Sequence, residues 1–406
     1  MKRIKLQIKA LSPLAIGQKK AGGVSEAGDY IPGAVIRGTI ASEILQQAEQ
    51  PLRTDFSQVE NHFKSLFIGK NAAIFHNAYP TADNEDVPVW VLPATALSSK
   101  TKSGFKSAEN HGVFDSLIDR FCAERCGHPY DPSCPEDGGR VEPYGGFYST
   151  INGAYHKCSV SKRLLTRVGI NRRRATAEEQ ILYSIEVLNE IQGEEKKPVV
   201  YRSAILVEDN DLAELLARFI NAHKFRLGGG ASRGLGKVEI SAEVEGVNLD
   251  AADRVDKFNQ KLRDRWETWA KIFSGSQADG GKNRTYFSLD LQSDAILTHQ
   301  WRRTMVISPE MLCQFADVSD PSLNLEVAYS SYDYRSGWNA AWGLMKDMEL
   351  ITNKGAVYLF STEIPDAWKN AWNTVELKGL GERTAEGFGQ VRICNEFHLV
   401  FREEPA

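Results

Sequence analysis

The sequence predicts an α+β fold: two ferredoxin-like (RRM-like, βαββαβ) domains, each with a glycine-rich loop before its last strand, the second degenerate and the first carrying a large insertion. Three features predict this class. The run G-L-G-K-V-E-I at Gly234–Ile240 returns as G-F-G-Q-V-R-I at Gly387–Ile393. Each copy leads into Val-x-Ile, an alternation that reads as strand. Each also follows a segment with helical spacing, so in both places the glycines join a helix to a strand. Two other glycine loops are excluded. No Lys-Ser or Lys-Thr follows the last glycine, as a Walker loop requires, and the glycines open a strand rather than the helix that receives a dinucleotide pyrophosphate.

The first strand is read from KRIKLQIKAL, where Ile4, Leu6 and Ile8 alternate with polar residues. A helix from about Gly33 to Glu49 follows, starting after Pro32 and repeating apolar residues at Ile36, Ile40 and Ile44. In TAEEQILYSIEVL, Thr176 and Glu179 have capping-box spacing, whereas Tyr183, Ile185 and Val187 alternate with Ser184 and Glu186; the strand reading is taken. GEEKK then reads as a polar turn and PVVYRSAILVE as a second β-branched run, together a hairpin. DNDLAELLARFINAHKF carries Leu212, Leu215, Leu216, Phe219 and Ile220 on one helical face, and the glycine loop links that helix to the fourth strand.

Domain 1 thus spans residues 1–245, with an insertion over about 50–175. A charged helical stretch ending in SGSQADGGKN forms a linker over 246–283, and domain 2 covers 284–406. In domain 2, TYFSLDL, LNLEVAYS and GAVYLFSTE read as strands and IPDAWKNAWNTVE as a helix; the first helix is poorly marked. Trp368 and Trp372, like Trp338 and Trp342, lie one helical turn apart and are expected in the core.

With 406 residues, 42% of them hydrophobic, the chain has material for two or three packed domains. A net charge of −4 excludes a uniformly basic nucleic-acid coat, so any such binding must come from local patches. The alternating N-terminus is not a signal peptide, and no run reaches the roughly 18 apolar residues of a membrane span. A cytoplasmic protein with six reduced cysteines is expected.

The candidate site is the first glycine loop. Glycines expose successive N–H groups that make a concave nest for a phosphate. Gly228, Gly229, Gly230, Gly234 and Gly236 supply the bare backbone, Ser232 a neutral donor and Arg233 a planar fork of donors. The basic run SKRLLTRVGINRRR adds Lys162, Arg163, Arg167, Arg172, Arg173 and Arg174, and Lys19, Lys20 and Arg37 lie near the first strand and helix. In the second copy Arg383 is offset by Glu382 and Glu386, so that loop reads as a tight turn.

These pieces resemble the RAMP superfamily of repeat-associated CRISPR proteins. SPLAIG, DYIPGAVIRGTIASEIL, TRVGINRRRATAEEQILYSIEVL, GGGASRGLGKV and GLGERTAEGFGQV occur in the order seen in the two-domain RAMP subunit of type III-D effector complexes. The resemblance implies a non-catalytic subunit that caps an effector ribonucleoprotein in antiviral defence. It would hold the 5′ repeat-derived handle of the guide RNA and meet target RNA only indirectly. Its partners would be the large polymerase-like subunit and the backbone RAMP subunits, with no membrane. Arg37, Arg167 to Arg174 and Gly228 to Gly236 would face the RNA. The alternative is a RAMP endoribonuclease that processes guide or cuts target RNA, using Asp29 or Glu26 with a divalent ion.

The insertion holds Cys122, Cys126, Cys134 and Cys158, with gaps of three, seven and twenty-three residues. Four thiolates on short loops with Gly127, Pro132 and Pro135 would close a tetrahedron around a structural zinc, with His128 and His156 as substitutes. Cys313 and Cys394 lie in apolar runs and are expected in the core.

Overall fold

Strand Lys2–Ala10 is the spine of the N-terminal half. It pairs antiparallel with Val200–Val207 on one side and Lys237–Glu245 on the other. The alternation read from the sequence has its physical outcome here: Ile4, Leu6 and Ile8 are fully buried and pack with Ile36 and Ile40 of helix Gly33–Ala48 and with Leu216 and Ile220 of helix Asn210–Ala222. The second helix is capped by Asp209, whose carboxylate accepts from Leu212 N at 2.9 Å. Its flank diverges from the reading, since Leu215 is exposed. The computed structural model describes residues 1–21, 24–48, 56–69, 71–82, 86–171, 176–193, 195–273, 284–339 and 343–406.

The next position in this sheet corrects the sequence reading. Strand Thr176–Leu188 forms but does not pair with Val200–Val207; Ile74–Phe75 and Tyr79–Pro80 take that edge. The polar turn closes only the short pairing of Ile191–Gln192 with Lys197–Pro198. Thr176–Leu188 instead joins Lys162–Asn171, Val24–Ala27 and Gly17–Ala21 in a separate four-stranded sheet. Alternation marks a strand but not its neighbour, and two-residue strands leave no periodic signal.

The C-terminal sheet runs Asn324–Tyr329, Val357–Thr362, Thr285–Leu291, Val391–Ile393. Leaving aside the short edge strand Phe225–Arg226 that flanks Lys237–Glu245 in the first sheet, both sheets follow 2-3-1-4 in chain order, with the short 74–80 segments in second place in the first. The poorly marked helix is Pro309–Ala316, with Pro at its start and Ser308 accepting from Met311 N at 3.3 Å. The Ser-Pro pair was its signal in the sequence. Trp368 and Trp372 are buried as expected, and so is Cys394; Cys313 is half-buried. Trp338 lies on the short strand Trp338–Asn339, and Trp342 falls outside the described residues.

Two helices from elsewhere in the chain complete this core. Helix Ala251–Ile272, read as a linker, buries Val255, Phe258, Leu262 and Trp266 against it. Helix Leu117–Arg125, from the insertion, adds Leu117, Ile118, Phe121 and Cys122. Arg265 clamps them together, bidentate to buried Asp119 at 2.7 and 2.8 Å. No helix among the described residues is long and apolar enough to cross a membrane.

A buried triad ties three distant segments. His398 donates to Asp115 at 3.0 Å and to Asp290 at 2.7 Å, and all three side chains are sealed from solvent. Burial alone would push the imidazole down, but Asp290 and Asp115 outweigh it and raise its pKa to about 10. A raised histidine pKa stabilises the fold fully below the unfolded value of about 6.5, and that contribution disappears as pH climbs through the folded value. We therefore expect the melting temperature to fall from pH 7 to 10, with His398 contributing a slope of up to about 1.4 kcal/mol per pH unit. Thermal melts of His398→Asn should show lower stability at pH 6.5 and a shallower alkaline decline; parallel curves would remove the charged triad.

Candidate nucleic-acid interface

The two glycine loops are one construction built twice. After the first strand, Ser12 Oγ accepts from Lys237 N at 2.8 Å, Pro13 O from Gly236 N at 2.9 Å, and Ala15 O from Gly229 N at 2.9 Å. In the second half, Ser293 Oγ accepts from Gln390 N at 2.8 Å, Asp294 O from Gly389 N at 2.9 Å, and Ile296 O from Glu382 N at 2.9 Å. Within the loops, Leu227 N meets Gly236 O and Leu380 N meets Gly389 O, both at 2.8 Å. The loop is thus clasped to the segment that leaves the first strand.

The clasp leaves no room for side chains. A Cβ on Gly228 would lie 2.5 Å from Ala15 O, and one on Gly381 2.4 Å from Ile296 O. On Gly236 it would meet Leu227 O at 2.5 Å, and on Gly389 Leu380 O at 1.8 Å. Steric closure at the same two positions of each loop writes those glycines twice.

What differs is what each loop faces. In the first, Gly230 is left-handed (φ 73°, ψ 23°) and Ala231–Arg233 form one 3-10 turn. That left-then-right succession aims the N–H groups of Gly230, Ala231 and Ser232 into one concavity. None of the three donates to a carbonyl among the described residues, and Ala231, Ser232, Arg233 and Gly234 are exposed. Arg233 donates to the Tyr183 hydroxyl, its guanidinium 5.7 Å from that ring's centroid.

Tyr183 lies on Thr176–Leu188, directly across from Arg167 on Lys162–Asn171. The ribbon that left the first sheet therefore stands beside the loop. Its four-stranded sheet carries Lys162, Arg163 and Arg167 on one strand and Lys19 and Lys20 on Gly17–Ala21, whose side chains fall outside the described residues. Residues far apart in the chain thus share one sheet next to the nest. Arg172, Arg173 and Arg174, which follow Lys162–Asn171 in the chain, lie outside the described residues.

Several of the basic residues have internal work. Arg37 donates to Phe67 O and lies over the Phe67 ring. Arg163 bonds Asn189 Oδ1 at 2.8 Å and Glu190 at 2.9 Å. Lys162 Nζ donates to Ala27 O at 2.7 Å and pairs with Asp29 at 2.6 Å. A divalent ion at Asp29 would have to displace that ammonium, and Glu26 is exposed on the neighbouring strand Val24–Ala27.

The second loop meets protein instead. Gly387 packs where a Cβ would touch Asn77 Oδ1 at 2.7 Å and Phe75 O at 2.9 Å, and Gly33, opening the first long helix, lies 2.0 Å by the same measure from Phe75 O. Asn77 Oδ1 accepts from Gly33 N at 2.8 Å. Glu386 holds Arg383 and Lys346, which keep its carboxyl below the usual range against the upward push of burial. Alongside, Asp294 accepts from Tyr30 at 3.2 Å and Arg335 at 2.7 Å. Tyr30 and Gly33 of DYIPG are therefore joint residues, a role the sequence reading missed.

The four cysteines are not brought together. Cys122 sits in the C-terminal core, where burial pushes its thiol up, and Cys126 caps the same helix. Cys158 packs with Tyr30, Tyr79 and Phe147 and lies 3.4 Å from Ser149 Oγ. His128 stacks on Phe273, and His156 lies on strand Ala154–Cys158. Spacing along the chain does not say which buried layer a thiol enters.

A sequence model of the RAMP superfamily matches residues 7–239, more than half of the chain, spanning the first strand, the basic ribbon and the first glycine loop. The protein belongs to the RAMP superfamily. No curated protein is similar to this RAMP protein at a significant level. Among solved structures it is similar to a chain of a type III-B Cmr-beta complex bound to cognate target RNA and AMPPnP, with 14% identity and a TM-score of 0.41 over 90% of this chain and 88% of that one. A chain of the complex with cognate target RNA gives 13% identity and 0.39 over 94% and 99%, and one of the apo state 12% and 0.30 over 59% and 96%. Similarity at this level specifies neither site nor ligand.

The clasp can be tested by paired alanines. Gly234 (φ 84°) has nothing within 4 Å of an added Cβ, so Gly234→Ala should cost only the left-handed strain of about 1–2 kcal/mol. Gly236→Ala, with equal strain plus the clash on Leu227 O, should cost at least about 2 kcal/mol more in urea unfolding. Equal midpoints for the two variants would contradict the steric account.

Proposed function

We propose that this RAMP protein is a non-catalytic, RNA-binding subunit of a type III CRISPR effector ribonucleoprotein. In this reading its two sheets are ferredoxin-like platforms, and it holds the 5′ repeat-derived handle of the guide RNA while bridging to neighbouring effector subunits. One observation carries the reading: the exposed amide nest at Gly230–Ser232 adjoins Arg233, which is docked on Tyr183 of the basic ribbon. Three convergent N–H groups and a guanidinium suit a phosphate, and Tyr183 and Arg233 offer planar faces for a splayed base. A handle of fixed sequence calls for this combination of backbone grip and limited base readout. The Lys162 pair on Asp29 supports the non-catalytic reading over an endoribonuclease.

Fluorescence anisotropy with the purified chain tests it. A guide bearing its repeat-derived 5′ tag should bind more tightly than an untagged RNA of equal length, and affinity should fall steeply with salt. Arg233→Ala should weaken the tagged guide about five- to tenfold and lower the salt slope by about 0.7, the value of one single-strand phosphate contact. Equal binding of both RNAs removes the handle role. Asp29→Asn should leave target cleavage by the assembled complex intact; loss of cuts would favour the nuclease.

A further inference from the structure

We propose that the insertion carries a zinc site of mixed ligands, His111 Nδ1, Cys134 Sγ and Asp137 Oδ2, in place of a four-thiolate set. Among the described residues these three form a group of ligating side chains whose donor atoms all lie within 4.8 Å of one another. His111 Nδ1 is 3.4 Å from Cys134 Sγ and 3.4 Å from Asp137 Oδ2. A tetrahedral ion with Zn–N and Zn–O near 2.0 Å and Zn–S near 2.3 Å has ligand-to-ligand edges of roughly 3.3–3.5 Å. Both spacings from His111 match those edges.

The ligands are presented by two loops. Cys134 and Asp137 sit on a turn closed by Cys134 N to Gly139 O at 2.8 Å and Gly138 N to Cys134 O at 2.9 Å, with Gly138 left-handed at φ 67°. Gly139 N donates to Asp137 Oδ1 at 2.8 Å, which leaves Oδ2 toward His111. Arg402 anchors the turn through Ser133 O at 2.6 Å. Cys134 is 1% exposed while the Asp137 side chain is 36% exposed, so the sulfur lies inside and the carboxylate at the surface. A thiolate with an imidazole and one carboxylate selects zinc over magnesium or calcium, which take oxygen ligands. Holding both loops together is the contribution expected of a structural ion in a segment with little regular structure.

The test uses the full chain and does not depend on RNA binding. Elemental analysis of purified protein should find about one zinc per chain, and cobalt added after chelation should give a thiolate charge-transfer band. Cys134→Ser should abolish the band. Asp137→Asn, at a half-exposed position, should weaken zinc retention at least about tenfold while circular dichroism stays native. Cys158→Ser should leave both signals unchanged. The proposal is overturned if wild type neither retains zinc nor gives the band, or if Cys134→Ser keeps its metal. Equal loss in Cys126→Ser and Cys158→Ser would assign the ion to the four cysteines instead.

Discussion

The architecture depends on a backbone clasp between the segment that leaves the first strand of each sheet and the glycine loop that enters its last strand. Three donors of the loop end on Ser12, Pro13 and Ala15 in one half and on Ser293, Asp294 and Ile296 in the other. Because main-chain oxygens lie where a Cβ would stand, only glycine closes it. The clasp also determines where the central strand's exit lies relative to the loop, and hence what the loop can reach.

From that shared frame the two loops take opposite parts. The first keeps its nest open, and Arg233 reaches across to Tyr183 on a ribbon that has detached from the main sheet. The second places Glu386 where the first has Arg233, neutralises its own Arg383, and seats itself on Gly33 and Asn77. A carboxylate repels the phosphate that a guanidinium would draw, so one difference at the same point of the turn gives the two loops opposite electrostatic character. The turn is a single construction, and charge and packing distinguish its two copies.

The halves are held by buried polar links as well as by apolar area. Tyr30, Asp294 and Arg335 meet beside the second loop, and His398 joins Asp115 of the insertion to Asp290 of the C-terminal sheet. Each satisfies its partner's buried charge, so the geometry is specified in a way that hydrophobic contact alone does not require. The insertion is thereby part of the C-terminal core and shapes the joint from within.

By itself the sequence determined what is local and periodic: the first strand from Ile4, Leu6 and Ile8, the helix from Leu216 and Ile220, the buried Trp368 and Trp372, and the repeated clasp from its glycines. The family could be read because those pieces occur in a set order. Only the tertiary structure decided that Thr176–Leu188 leaves Val200–Val207 for Lys162–Asn171, that Arg37 turns inward to Phe67, and that Cys134 meets His111 rather than three other thiols. The reason is that periodicity records which face of an element is buried, whereas the choice of neighbour is made by contacts between residues far apart in the chain, which leave no spacing to read.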